Sequence, residues 1–179
     1  MNKILTDGQA MAFRQATADD LQQAWLIIRK AKRFMHEKGR YQWTEEYPSL
    51  ERIEADILSD GAYVMCDGGG RIGAYAYVTA APEPAYAAPS ARWLSHGPYV
   101  VIHRLAVGAA FRGRGLGRAM LLKAEHVALS RGIGSIKVDT NHDNAEMLGL
   151  LNSLGYTHCG TVSYGFRGER MAFEKLINT

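Results

Sequence analysis

Gly113, Gly115 and Gly117, interleaved with Arg112, Arg114 and Arg118, are the residues whose types and spacing point most directly to chemistry. Glycine carries no Cβ, so the backbone there can bend tightly and a ligand can come close to the peptide N–H groups. Three arginines add fixed positive charge at the same place. The run before the loop, YVVIHRLAV from Tyr99, is rich in β-branched and large apolar residues and predicts a strand. After it, Leu116, Met120, Ala124 and Val127 share one face of a predicted helix. A helix start presents amides without intrahelical partners at the positive end of its dipole. Strand, glycine–arginine loop and helix together make a cradle for a phosphate group. Two common phosphate fingerprints fail: the third glycine of G-x-G-x-x-G is replaced by Arg118, and G-x-x-x-x-G-K-[ST] is absent from the loop.

Other elements must hold this loop in place. Thr17 and Asp20 form a capping box for a helix running to about His36, with Leu21, Trp25, Ile28 and Ala31 on one face and Gly39 as its stop. Ser49 caps a second helix carrying Leu50, Ile53 and Ile57. Ala62 to Cys66 and Ile72 to Thr79 read as a hairpin across Asp67-Gly68-Gly69-Gly70. Ser135 to Thr140 is a further strand, and Asn144 opens a helix that ends at Gly155. Tyr156 to Val162 and Arg170 to Leu176 read as a closing hairpin. Between the first two helices, Tyr41, Trp43 and Tyr47 sit in a polar loop. They are either a small cluster packed beneath it or a wall of a substrate pocket, with Trp43 and Tyr41 as the binding residues. The stretch from Ala80 to Gly97, with Pro82, Pro84 and Pro89, lacks periodicity; it reads as a binding loop or lid, or as a plain insertion.

The central stretch resembles motif A of the GNAT superfamily of acyl-CoA-dependent N-acetyltransferases. Its pattern, V/I, four residues, then Q/R-x-x-G-x-G/A, is met by Val107 and then Arg112-Gly113-Arg114-Gly115-Leu116-Gly117. Downstream, VDTNHDNAEMLGLLNSLGY resembles the family's strand followed by a helix-start Asn, here Asn144, and a Gly-aromatic pair, here Gly155-Tyr156. With the strands before motif A, the similarity runs from about Phe13 to Leu176. It implies a GNAT-type α/β (α+β) fold, a central mixed, mostly antiparallel sheet flanked by helices, in one domain over residues 1–179 with an N-terminal extension over 1–12.

The resemblance implies an N-acetyltransferase that moves the acetyl group of acetyl-CoA to a primary amine, on a small molecule or a peptide, by direct attack. Main-chain groups of Leu105, Ala106 and Val107 would pair with the pantetheine arm, and an N–H near Val107 would polarise the thioester carbonyl. Arg112, Gly113, Arg114, Gly115, Leu116, Gly117 and Arg118 would hold the pyrophosphate, and Asn144 the pantetheine or a water. An alkyl amine is protonated near neutrality, so a base is needed. Asp139, five residues before Asn144, stands where some family members place a catalytic carboxylate; His103 is the rival, with Glu45 and Glu46 behind them. His142 reads as a loop residue. The tyrosine that protonates the departing thiolate in many members falls at Leu151 here, so that role is not carried over; Tyr156 and Tyr164 read as packing residues first and as substitutes second. A thiol of pKa about 8.5 can leave with modest help. The alternative is an acyl-CoA-binding module that has lost catalysis.

Bulk properties narrow the classes. A chain of 179 residues, 47% hydrophobic, suits one domain with a full core. A net charge of +3 with arginines concentrated in one loop does not describe a nucleic-acid face. Cys66 and Cys159 lie in no paired motif, and no two histidines have metal-ligand spacing, so reduced thiols and no metal are expected. The N-terminal sequence lacks the roughly 7–15-residue apolar core of a signal peptide, and no apolar run reaches membrane-spanning length. A cytoplasmic protein is expected, acting on an amine acceptor with no nucleic-acid or membrane partner. A homodimer is open on base rate alone. Gly-x-Ser-x-Gly is absent, which disfavours a hydrolase.

Overall fold

Local capping sets the first boundaries. The computed structural model describes residues 2–6 and 9–177. The Asp20 carboxylate accepts from the Thr17 backbone N–H at 2.8 Å, completing the expected capping box ahead of α1 (Leu21–Glu37). Arg14 grips the same carboxylate through two bonds of 2.6 and 2.9 Å, which holds Asp20 below the usual carboxylate range. Gly39, at φ +69°, takes the left-handed turn that stops the helix. Ser49 caps α2 (Leu50–Leu58) by accepting from Arg52 N–H at 3.2 Å.

The chain gathers into two units, Met1–Val78 with His103–Lys123 and Thr79–Ile102 with Ala124–Thr179. In the first, β1 (Asn2–Thr6), β2 (Gln9–Gln15), β3 (Ala62–Cys66) and β4 (Ile72–Thr79) pair antiparallel in that order. The N-terminal extension expected over 1–12 thus supplies β1 and the start of β2, while residues 1, 7 and 8 lie outside the described residues. The core of this unit joins Ile27 and Ile28 of α1, Ile53 and Ile57 of α2, Val64 of β3 and Tyr75 of β4. Ile28 and Ile53 are fully buried, worth about 1.5–3 kcal/mol each. The buried face of α1 is rotated from the expected one: Ala24, Ile27 and Ile28 lie inside, whereas Leu21, Trp25 and Ala31 are half-buried at its border.

In the second unit, β5 (Val100–Val107) runs parallel to β6 (Ser135–Thr140), with Val100 opposite Ile136. The order continues to β8 (Glu169–Leu176) and β7 (Thr157–Ser163), both pairings antiparallel. The sheet is therefore mixed and mostly antiparallel, as expected. Only Val100–Ile102 of β5 belong to the second unit; the strand continues into the first. α3 (Leu116–Ser130) likewise starts in the first unit and ends in the second, burying Leu116, Met120, Ala124 and Val127 as its spacing predicts. α4 (Ala145–Ser153) completes the helices. Both cysteines are free and buried. Among the described residues no helix is long and apolar enough to cross a membrane.

Candidate active site

The turn between β5 and α3 bends where the glycines allow it. Gly113 and Gly115 adopt φ of +75° and +77°, the left-handed region that costs a residue with a Cβ about 1–2 kcal/mol. Nothing lies within 4 Å of a Cβ built on either, so the space above the loop is open. The first helical bond runs from Ala119 N–H to the Gly115 carbonyl at 3.0 Å, so the amides of Leu116, Gly117 and Arg118 precede the helical ladder. Arg112, Gly113, Arg114, Gly115 and Arg118 are exposed, while Leu116 and Gly117 are buried. Aromatic faces steady the cations: the Arg112 guanidinium lies 3.9 Å from the Phe34 ring centre, and those of Arg114 and Arg71 each 5.7 Å from that of Phe111. β4 approaches closely at Gly73, where a Cβ would stand 2.6 Å from Leu116 and 3.0 Å from Phe111. The loop is an exposed, positively charged turn.

Leu105, Ala106 and Val107 lead into it. Gly108 N–H donates to the Gly73 carbonyl at 2.8 Å, tying the end of β5 to β4. His103 stacks on Tyr77 with ring centres 6.3 Å apart. Burial, with the charges of Arg104 and Arg52, pushes its pKa down to about 3. The ring is neutral at ordinary pH and is a poor acceptor for an ammonium proton.

The aromatic loop divides. Trp43 is buried in the first unit's core, while Tyr41 is 65% exposed and rests its ring on His36, centres 5.1 Å apart. His36 Nε2 donates to the Trp43 carbonyl at 2.6 Å. Lys32 Nζ donates to the carbonyls of Glu45 at 2.7 Å and Pro48 at 3.1 Å. Burial lowers the Lys32 pKa, against the pull of Glu45. Glu45 and Glu46 are exposed.

In the second unit, Asp139 stands near the end of β6, where its Oδ2 accepts from both the Tyr86 and Tyr164 hydroxyls at 2.8 Å. Burial pushes its pKa up, while the two tyrosines and Arg170 pull it back. Tyr86 arrives from the Ala80–Gly97 stretch, which is firmly tied down. Trp93 Nε1 donates to the Tyr86 carbonyl at 2.9 Å, and Ala91 bridges to Gly160. The fully buried Glu174 carboxylate accepts from Leu94 N–H at 2.5 Å, from the Ser95 hydroxyl and from Ser135 Oγ at 2.7 Å. Lys137 Nζ lies 4.3 Å from the Trp93 ring centre and 4.1 Å from that of Tyr99. Sequence spacing does not reveal Tyr86 as a partner of Asp139; its one signal is a lone aromatic in a proline–alanine tract.

Asn144 caps α4, accepting from Met147 N–H at 3.3 Å and donating to Thr140 Oγ1 at 3.0 Å. His142 is exposed. Leu151 is fully buried. The Tyr164 hydroxyl is engaged with Asp139, and the Tyr156 hydroxyl is buried without a hydrogen-bond partner, its pKa pushed well up by burial. Neither is set up as a ready proton donor. Among the described residues, no three His, Cys, Asp or Glu side chains cluster as a metal ion would need.

Residues 20–156 match the model of the acetyltransferase (GNAT) family. A GNAT-family acetyltransferase from Streptococcus agalactiae is 30% identical over 98% of this chain and 99% of its own, with a TM-score of 0.84. One from Listeria monocytogenes is 20% identical over 98% of this chain and 100% of its own, at 0.77. A Salmonella typhimurium protein solved with its cofactor acetyl-CoA is 18% identical over 94% and 95%, at 0.68. Those last two share the fold; the family match covers residues 20–156, most of the sequence. On these grounds the chain belongs to the acetyltransferase (GNAT) family.

Proposed function

We propose that this protein is a cytoplasmic N-acetyltransferase that moves the acetyl group of acetyl-CoA to a primary amine. The observation that carries the reading is the turn at Gly113 and Gly115, left-handed at both glycines, open above, and flanked by exposed guanidiniums at the start of α3. It has the charge, the donors and the space that a diphosphate requires. Acetyl-CoA, the co-substrate found in the Salmonella typhimurium relative, supplies an activated acyl group and a thiolate that leaves readily.

The chain's own groups have the following roles. The amides from Arg112 to Gly117, with the Arg112, Arg114 and Arg118 side chains, bind the diphosphate. Backbone groups of Leu105, Ala106 and Val107 orient the pantetheine arm, and an N–H at Val107 polarises the thioester carbonyl. Asn144 adds a polar contact to the pantetheine while it caps α4. Asp139 takes the proton from the attacking ammonium; its raised pKa makes it a better base than an ordinary aspartate, and the depressed pKa of His103 leaves that ring neutral. Tyr41, the exposed aromatic of its loop, contacts the acceptor, while Trp43 stiffens the loop from beneath.

One observation favours a second reading, an acyl-CoA-binding module without turnover: Leu151 stands where many relatives carry the acid tyrosine. Incubation with acetyl-CoA and a panel of primary amines, following free thiol, separates the two. Amine-dependent thiol release supports the enzyme; tight CoA binding with no release across the panel supports the module.

A further inference from the structure

Arg104 lies in the middle of β5 at φ +53°, a conformation that a bulky residue adopts only where its surroundings impose it. Burial changes along the strand without alternating: Val100, Val101 and Ile102 are all buried, and His103, Arg104 and Leu105 are all half-buried. A left-handed residue inside a strand re-aims the peptide groups that follow it. Those are the groups of Leu105, Ala106 and Val107.

A side-chain clamp holds the residue in place. Arg104 Nε and Nη2 donate to the two carboxylate oxygens of Asp56, each at 2.7 Å, and Nη1 donates to the Tyr47 hydroxyl at 2.7 Å. The Tyr75 hydroxyl donates to Asp56 Oδ2 at 2.8 Å, and the Tyr77 ring lies 4.8 Å from the guanidinium carbon. The Arg104 and Asp56 side chains are only 7% and 2% exposed. A planar fork on a carboxylate fixes direction as well as distance, so the guanidinium cannot turn without breaking both bonds. Glycine would take this φ without assistance; with arginine the backbone shape depends on α2, which carries Asp56.

The geometry points to Asp56 as a positioning residue for acyl transfer. Acting through Arg104, it holds β5 in the left-handed kink that aims the Leu105–Val107 peptide groups at the thioester. This rests on the proposed acetyltransfer reaction, touches no substrate directly, and makes the kink a property of a side-chain pair.

Glycine at position 104 provides the test. Asp56→Asn removes the carboxylate charge without leaving an orphan anion, and is expected to lower kcat about tenfold or more with little change in the acetyl-CoA dissociation constant. Adding Arg104→Gly to it frees the kink from strain, whereas adding Arg104→Ala does not. The glycine double variant should exceed the alanine double variant in kcat by about tenfold, the difference expected from left-handed preference, although both lose the same clamp. Equal kcat in the two double variants, with equal thermal midpoints, overturns the inference and leaves the pair a purely structural ion pair. Should the wild type release no thiol with any amine, the amide resonances of Leu105–Val107 decide. Wild-type-like shifts in the glycine variant and displaced ones in the alanine variant support the positioning role independently of turnover; displacement in both rejects it.

Discussion

His103 shows how one half-buried side chain registers in a bulk measurement. Its folded pKa is near 3, against about 6.5 in an unfolded chain. Between those values the unfolded state binds a proton that the folded state refuses, so the contribution is whole above pH 6.5 and is lost as the pH falls toward 3. The slope is up to about 1.4 kcal/mol per pH unit. Urea unfolding at pH 6.5 and pH 5 should therefore show the wild type losing up to about 2 kcal/mol more than His103→Gln. Parallel losses in the two proteins would mean that the ring is already protonated in the fold. Sequence suggests His103 as a base because histidine titrates near neutrality; what it conceals is that the fold withdraws the ring from water, with the charges of Arg104 and Arg52 adding to the effect.

At the scale of elements, the segment Ala80–Gly97 lacks periodicity and reads as a binding loop or lid or a plain insertion, and it folds as an anchored strap. Its anchors are long-range: Glu174 is 80 residues away from Leu94 and 79 from Ser95, and Asp139 is 53 from Tyr86. No local pattern encodes such partners. Where sequence pattern and capping are local, the elements were legible: β3, β4 and β6 span the residues read as strands, and Ser49 and Asn144 cap the helices they precede. The clamp of Asp56 and Arg104 was invisible for the same reason as the strap, since its members are separated by 48 positions. The strap has a consequence for chemistry. Tyr86 is one of two donors that pull the Asp139 pKa back down, so Tyr86→Phe should raise it further. A base must be deprotonated to act, hence the acidic limb of the kcat profile should move to higher pH, by about one unit or less. An unmoved limb would mean that Asp139 is not the titrating base.

At the scale of the molecule, β5 and α3 each lie partly in one unit and partly in the other. Melting either unit frays a strand and a helix of its neighbour, so we expect one cooperative thermal transition, with calorimetric and van't Hoff enthalpies in agreement. Two resolved transitions would show the units to be independent. The glycine–arginine turn was the most legible part of the whole chain because what builds it is local: backbone freedom, charge and a helix start follow one another within a few residues. Calorimetric titration of acetyl-CoA into the wild type, Gly115→Ala and Gly115→Glu tests it most directly. A Cβ at 115 meets no neighbour, so alanine adds only conformational strain, whereas glutamate also places a negative charge in the cradle. The account predicts binding by the wild type, weaker binding by the alanine variant and none by the folded glutamate variant; equal affinity in all three would contradict it.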